Sequence, residues 1–258
     1  MSDSPRTYFL EDLLSHEVRQ WVPERIRRVL VPCGALEAHG STGLATDTII
    51  PVGLAERLAP RLDAFIAPAI PFGVLRTLRR YPGSVGLETD TYTRLMTEVG
   101  EGLLASGFQE IIFLNGHAGN RTPLKEAAYE LHVKHGAFAL VYDWYMEPFD
   151  GFAGVYDAPG GHSGAVETGM VLAVRPEAAP GELWRPEDAG VLNPAISAYP
   201  APYPIMLMEE DRGLPDFDPE KAKRLLDIIT NTAAEGLRRV LDRWESLGKT
   251  GPPPRDME

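Results

Sequence analysis

Residues 29–48 read VLVPCGALEAHGSTGLATDT, and residues 49–62 continue as IIPVGLAERLAPRL. An apolar, β-branched run over 28–33 stops at Pro32, Cys33 and Gly34. It is too short for a helix and is bounded by breakers, so it reads as a buried strand. Small residues follow, interrupted by Glu37, His39 and Asp47. Residues 46–62 then take helical spacing, with Thr46 or Asp47 near the start and Pro51 expected in the first turn. Strand, polar loop and helix in that order make a βα unit. Glu37 and His39 stand where the strand runs out, and Asp47 stands where the helix begins.

The same alternation continues outward. Residues 63–73 read as a second strand with its loop. Over 89–107, Leu95, Val99, Leu103 and Leu104 fall at helical spacing and Gly107 fits the stop. Residues 108–116 give a third strand, 120–136 a helix closed by Gly136, and 137–145 a fourth strand. A short helix is expected within 163–176, ended by Pro176, and a long amphipathic helix over 217–248. This β-α-β-α order predicts an α/β fold, a mostly parallel sheet flanked by helices on both faces. There is no internal repeat and no domain boundary, so residues 1–258 are expected to form a single domain with a flexible Pro-rich tail at 249–258. Residues 176–217, with Trp184, Tyr199, Tyr203 and Met206 to Met208, are Pro-rich and irregular; they are expected to wrap the surface, cover a site or meet a neighbouring subunit.

Against 37 Asp and Glu stand 25 Lys and Arg, a formal charge of -12. Nucleic acids and anionic membranes need the opposite sign, so neither is expected as a partner. A single cysteine, Cys33, excludes an internal disulfide and reads as a buried thiol. No apolar run approaches a membrane span and the N-terminus lacks the pattern of a signal peptide, so a cytoplasmic protein is expected.

In an open parallel sheet, functional side chains gather beyond the carboxyl ends of the strands. The polar clusters fall there. Glu37, His39 and Asp47 follow the first strand; Asn115, His117 and Asn120 lie in NGHAGN after the third; His162 and Glu167 lie in GGHSGAVETG after the fourth. Glu37 and His39, two residues apart in an extended loop, face one side. Carboxylates mixed with imidazoles suit Zn, Mn or Fe(II) rather than a thiolate-bound structural zinc or an all-oxygen calcium site. Each residue also has a structural reading: Glu37 and Asp47 as helix caps, His39 as a loop histidine, His117 as a satisfied core histidine, Glu167 as a solvent-facing helix residue. His16, His132 and His135 have no clustered partners and read as structural or surface residues.

With these motifs in hand, the chain resembles the creatininase (creatinine amidohydrolase) family. The family pattern P-x-G-S/T-x-E-Q-H-G-P-H-L-P-L-x-T-D-T stands here as PCGALEAHGSTGLATDT, N-G-H-G-G-N as NGHAGN, and H-A-G-x-x-E-T-S as HSGAVETG. A further motif ending in F/Y-P-G-T/S appears as PFGVLRTLRRYPGS. The resemblance implies a metal-dependent hydrolase acting on a small molecule, a homo-oligomer (hexamers being common) and two divalent ions of Zn or Mn, with Fe as a further possibility. By position it implies that Glu37, Asp47 and His117 hold one ion and that His39 and Asp47 hold the second, Asp47 bridging. In creatininase proper a Glu follows the second-motif His by two positions; here that position is Gly119, so Glu167 is expected to complete the set. His162, with Glu167, is then expected to carry proton transfer. Ser84, Asn115, Gly116, Asn120 and Arg79 are expected to contact substrate, with backbone N–H groups of GHAGN at a developing oxyanion.

Two departures separate the chain from creatininase itself. The family's G-P-H-L-P is GSTGL, so a loop histidine is lost, and the histidine before F/Y-P-G is Leu78, followed by Arg79 and Arg80. The expected reaction is therefore opening of a cyclic amide or related C–N bond other than that of creatinine, by a two-metal-activated hydroxide. The alternatives are hydrolytic C–C cleavage of a cyclic ketone from sugar or inositol catabolism, and a non-catalytic metal-stabilised scaffold subunit.

Overall fold

A computed structural model describes residues 4–193 and 195–248. The expected tail at 249–258 lies outside the described residues. Along the chain run α1 (Ser15–Trp21), β1 (Arg28–Cys33), α2 (Thr46–Leu62), β2 (Ala64–Ile66), β3 (Gly73–Val74), β4 (Gly86–Leu87), α3 (Thr89–Ala105) and β5 (Glu110–Asn115). There follow α4 (Arg121–His135), β6 (Phe138–Asp143), β7 (Gly161–His162), α5 (Ala165–Val174), β8 (Ala189–Val191), β9 (Ile205–Leu207) and α6 (Pro219–Ser246).

The main sheet has the order β2-β1-β5-β6 and every pairing in it is parallel. Strand alternation sends side chains to two faces. Leu30, Ile66, Ile112 and Leu114 pack with α2, α5 and α6, while Val29, Val31, Phe65, Ile111 and Phe113 pack with α1, α3 and α4. Both faces are therefore dry, which explains why β1 and β5 read as near-continuous apolar runs. Each fully buried Leu or Ile contributes about 1.5–3 kcal/mol relative to exposure. Cys33 is buried within this core, and burial pushes its thiol far up, consistent with a packing role.

Pro32 lies inside a central strand, where a missing N–H normally breaks the ladder. Here the carbonyls of Leu30 and Pro32 accept from Ala67 and Ile70, so this register faces the β2 side, and β2 has already ended at Ile66. The second strand is accordingly shorter than 63–73, because Pro68 and Pro71 cannot continue it. Pro51 lies in the second turn of α2, not the first. It leaves the Asp47 carbonyl without its helical donor, and that oxygen packs against Gly116, where a Cβ would lie only 1.9 Å away.

The described residues of 176–217 contain regular structure that their composition does not announce. They form short 3-10 turns with β8 and β9, and β9 pairs antiparallel with β7 and parallel with β8. The register sets His162 opposite Met206. At the far end of the sheet, buried Glu110 takes Arg27 at 3.2 Å and Arg28 at 2.5 Å, and both arginines also reach Glu245 of α6. That cluster ties the last helix to the amino ends of the strands, leaving their carboxyl ends for chemistry.

Candidate metal centre

Glu37 and His39 follow β1, Asp47 is the second residue of α2, His117 follows β5, and His162 and Glu167 lie on β7 and the first turn of α5. The N-cap of α2 is Ala45, with no side-chain cap bond, so the Asp47 carboxylate is free to turn into the site. Glu37, His39, Asp47 and His117 are all buried.

The geometry centres on Asp47. Its Oδ2 lies 2.9 Å from His117 Nδ1, which is also 3.2 Å from Glu37 Oε2. Its Oδ1 lies 3.2 Å from His39 Nε2, which is 3.9 Å from Glu167 Oε2. Ligand atoms of Glu37, Asp47 and His117 lie within 4.8 Å of one another, as do those of His39, Asp47 and Glu167. Asp47 thus joins two potential cation sites. Glu37, His39 and His162 form a further close group.

The hydrogen bonds decide what the imidazoles can do. His117 Nε2 faces the Val74 carbonyl at 2.9 Å and His39 Nδ1 faces the Glu37 carbonyl at 3.0 Å. A carbonyl only accepts, so each of these nitrogens carries the proton. The other nitrogen of each ring is aimed at carboxylates. A neutral ring would point a lone pair at negative oxygens, which is repulsive unless a cation lies between them. Backbone carbonyls that fix the tautomer behind a ligating nitrogen are the usual support of a metal site. Three carboxylates with two neutral imidazoles offset three of the four positive charges of two divalent ions, so this donor set fits such a pair with one charge left for an anionic ligand.

Without a cation, protons take that role. Burial drives the His39 pKa down, but Asp47, with Glu167 and Glu37, outweighs it and raises it to about 9. His117 is likewise opposed by burial and held well above its ordinary value by Glu37 and Asp47. Burial pushes both carboxylates up, yet His117 lowers Glu37, and His39 with His117 lowers Asp47 far below the usual range. Clustered groups with strongly displaced titration mark a functional site.

A cavity of about 730 Å³ opens onto this centre and is lined by Glu37, Asp47, His117, His162 and Glu167. Its walls are apolar, formed by Trp144, Phe149, Phe152, Val166, Met206 and Met208, so the segment at 176–217 contributes through β9. His162 Nε2 donates to the Ala38 carbonyl at 3.0 Å, leaving Nδ1 toward Glu167 Oε2 at 4.0 Å.

The expected substrate contacts separate. Gly116 lines the cavity. Asn115 instead supports the His117 loop: its Oδ1 accepts from His117 N at 3.0 Å and its Nδ2 donates to Asp143 and Tyr145. Asn120 bridges Val74 N and the Gly34 carbonyl, and Ser84 Oγ accepts from Ala38 N. Arg79 pairs with Glu88 at 2.5 Å on the surface, and the arginine that lines the cavity is Arg76. Of the GHAGN amides, Gly116 N is bonded to the Cys33 carbonyl, His117 N to Asn115 and Asn120 N to the His117 carbonyl, so Ala118 N and Gly119 N are the two left for an oxyanion.

Sequence reasoning missed a buried hydroxyl cluster behind the site. Ser41 Oγ meets Ser163 Oγ at 2.6 Å and Thr168 Oγ1 at 3.0 Å, and Ser163 Oγ reaches the His39 carbonyl. Ser163 adopts φ 59, a left-handed conformation rare for serine, while its N–H donates to Glu167 Oε2 at 2.5 Å. Small hydroxyl residues far apart in sequence carry no periodic signal by which this could be read.

Comparison with known proteins settles the lineage. The model of the family described as "Creatininase: Creatinine amidohydrolase" matches residues 11–237. The chain belongs to the creatininase family. As a member it is a metal-dependent hydrolase of the amidohydrolase type. It is 29% identical over 230 residues to the mycofactocin precursor peptide peptidase of Mycobacterium tuberculosis, covering 84% of this chain and 81% of that protein. It is 24% identical to the creatinine amidohydrolase of Pseudomonas putida, over 81% of this chain and 88% of that one. The crystal structure of creatininase superposes with a TM-score of 0.79 at 21% identity, over 91% of this chain and 98% of that chain. Other solved creatininase structures include a Mn form and a Zn–Zn form, with TM-scores of 0.76 and 0.78. The creatininase-like fold expected from the sequence is the fold observed. No helix among the described residues is long and apolar enough to cross a membrane.

Proposed function

We propose that the chain hydrolyses a C–N bond of an amide larger than creatinine, cyclic or linear, using two divalent cations of Zn or Mn held by Glu37, His39, Asp47, His117 and Glu167. The observation that carries this reading is Asp47, whose two oxygens face two different histidines, each with its remaining nitrogen committed to a backbone carbonyl. The substrate size follows from the cavity, since pockets of this volume hold molecules well beyond one five-membered ring. One relative is named for a peptide and another for a cyclic amide, and both contain the same scissile bond type.

When bound, the cations supply a water of lowered pKa and polarise a carbonyl. The chain does the rest. Its apolar walls exclude bulk water, and Ala118 and Gly119, which line the cavity, supply N–H groups as donors for a developing oxyanion. His162, its Nε2 proton held by the Ala38 carbonyl, accepts a proton at Nδ1 and returns it to the departing nitrogen. Water's hydroxyl goes to the acyl carbon and its proton to nitrogen, giving an acid and an amine. Ligand side chains that line an open cavity favour an enzyme over a closed structural site. The reading carries with it a cytoplasmic homo-oligomer, hexamers being the state that the resemblance implies.

The test is a metal-replete preparation screened against lactams, hydantoins, short peptides and keto-inositols. Amide turnover is expected, and His162→Ala should lower kcat by roughly 10²–10⁴-fold with metal content unchanged. Turnover confined to the cyclic ketones would replace C–N with C–C cleavage.

A further inference from the structure

The cavity carries a cation that hydrolysis leaves unused. Among the described residues that line it, Arg76 is the only arginine or lysine. Its guanidinium is exposed, donates from Nη2 to the neutral hydroxyl of Thr89 at 2.9 Å, and has no carboxylate partner among the ion pairs of the described residues. The nearby carboxylate of Glu88 is held by Arg79, whose bond is the chief cause of its lowered pKa, with Arg76 a minor one. In a chain of formal charge -12, an arginine that lines the working cavity while its neighbour satisfies the local acid has guanidinium donors left for a ligand anion.

Its position is tied to the reacting centre. Val74, two residues earlier, is the residue whose carbonyl fixes His117, and Val74, Arg76 and Thr77 all line the same cavity. The strand ends at Val74 and the chain bends at Arg76, so two peptide units, at most about 7 Å of chain, separate the residue that orients His117 from the residue that carries the cation. Between the two poles lies the wall containing Trp144, Phe149, Phe152 and Met206.

We propose that Arg76 is a specificity residue that binds a free carboxylate, and that the substrate class is an amide with a bulky apolar group and a carboxylate one or two residues from the scissile bond: N-acyl amino acids or the last residues of a peptide. The catalytic part of this rests on the amide-hydrolase reading above; the binding part does not. An Arg–carboxylate pair in a partly desolvated cavity is bidentate and directional, so neutralising the ligand's acid removes recognition that apolar contact cannot replace.

The experiment is titration calorimetry of the full chain, metal-replete and at low salt, with N-acetyl-phenylalanine and its carboxamide as probes. The acid is expected to bind at least tenfold more tightly, Arg76→Gln should bring the ratio near one, and Arg76→Lys should keep part of it. In parallel, kcat/KM is compared for phenylalanyl dipeptides with free and amidated C-termini; the same ratio should fall in Arg76→Gln. An acid preference that survives Arg76→Gln places the carboxylate on the cations and overturns the proposal, as does equal or undetectable binding of the two probes. An Arg76-dependent binding preference with no hydrolysis of any amide leaves the carboxylate site standing and sinks the hydrolase reading alone.

Discussion

Asp47 directs Oδ2 to His117 and Oδ1 to His39, and Oδ2, though buried, has no hydrogen-bond donor in good geometry. A buried carboxylate oxygen without a donor is costly unless something positive lies there. Glu37 also closes on His39 and His162, but Asp47 is the carboxylate that places one oxygen on each of the two buried histidines. Asp47→Asn keeps shape and volume but replaces one ligating oxygen with a donor amide. Elemental analysis of the purified variant should find one ion or fewer per chain in place of two, with kcat down by roughly a hundredfold or more, since a bridged pair stabilises both attacking and leaving atoms. A variant that retains both ions and full turnover rules out Asp47 as the bridge.

At the scale of elements, the site depends on close backbone approach between β3 and the loop after β5. A Cβ on Gly119 would lie 2.2 Å from the Val74 carbonyl and 2.5 Å from His117 Nε2, the two ends of the bond that orients His117. Position 119 is therefore closed here to any side chain, and Glu167 is the carboxylate that stands near His39 besides Asp47. Gly119→Ala should force β3 or the loop to shift, costing about 1–3 kcal/mol and weakening metal affinity by roughly 10–100-fold, while Gly102→Ala, on α3 and facing open space, should leave metal affinity unchanged and raise stability by about 0.5–1 kcal/mol. Thermal melts and metal titration check both variants; unaltered affinity in Gly119→Ala would mean that the Val74 bond does not support the site. What sequence could and could not show follows the same division. The strands β1, β5 and β6 and the chemistry beyond their ends were legible, because apolar runs, breakers and clustered donors are local signals. Arg76 was not distinguished from Arg79, because which arginine Glu88 captures is a fact of folded geometry. The pairing of β9 with β7, and Asn115 acting behind His117 instead of on substrate, are likewise long-range contacts without local pattern.

For the molecule as a whole, the metal-free chain holds a buried cluster together with protons. His39 has its folded pKa raised from an unfolded value near 6.5 to about 9, so its contribution is fully present below about 6.5 and is lost as pH climbs through 9. Asp47 and Glu37 are lowered, so theirs is present above the ordinary carboxylate range and is lost as pH falls below it. Stability of the metal-free protein should therefore be greatest at mildly acidic pH and decline from about 6.5 to 9. Divalent ions reverse that slope, because they occupy the nitrogens that the protons held and must displace them to bind. An ion at a hundred times its Kd adds about 2.7 kcal/mol, worth roughly 5–11 °C in Tm for a chain of this size. The Tm gain on adding Zn or Mn should therefore widen as pH rises from 6.5 to 9, with protons released on binding, and His39→Asn should flatten the pH dependence of the metal-free protein. Scanning calorimetry across that range, with and without metal, reads both effects. A metal-induced gain that stays constant with pH would show that His39 and His117 are not protonated in the metal-free state, and hence that the ions do not replace protons there.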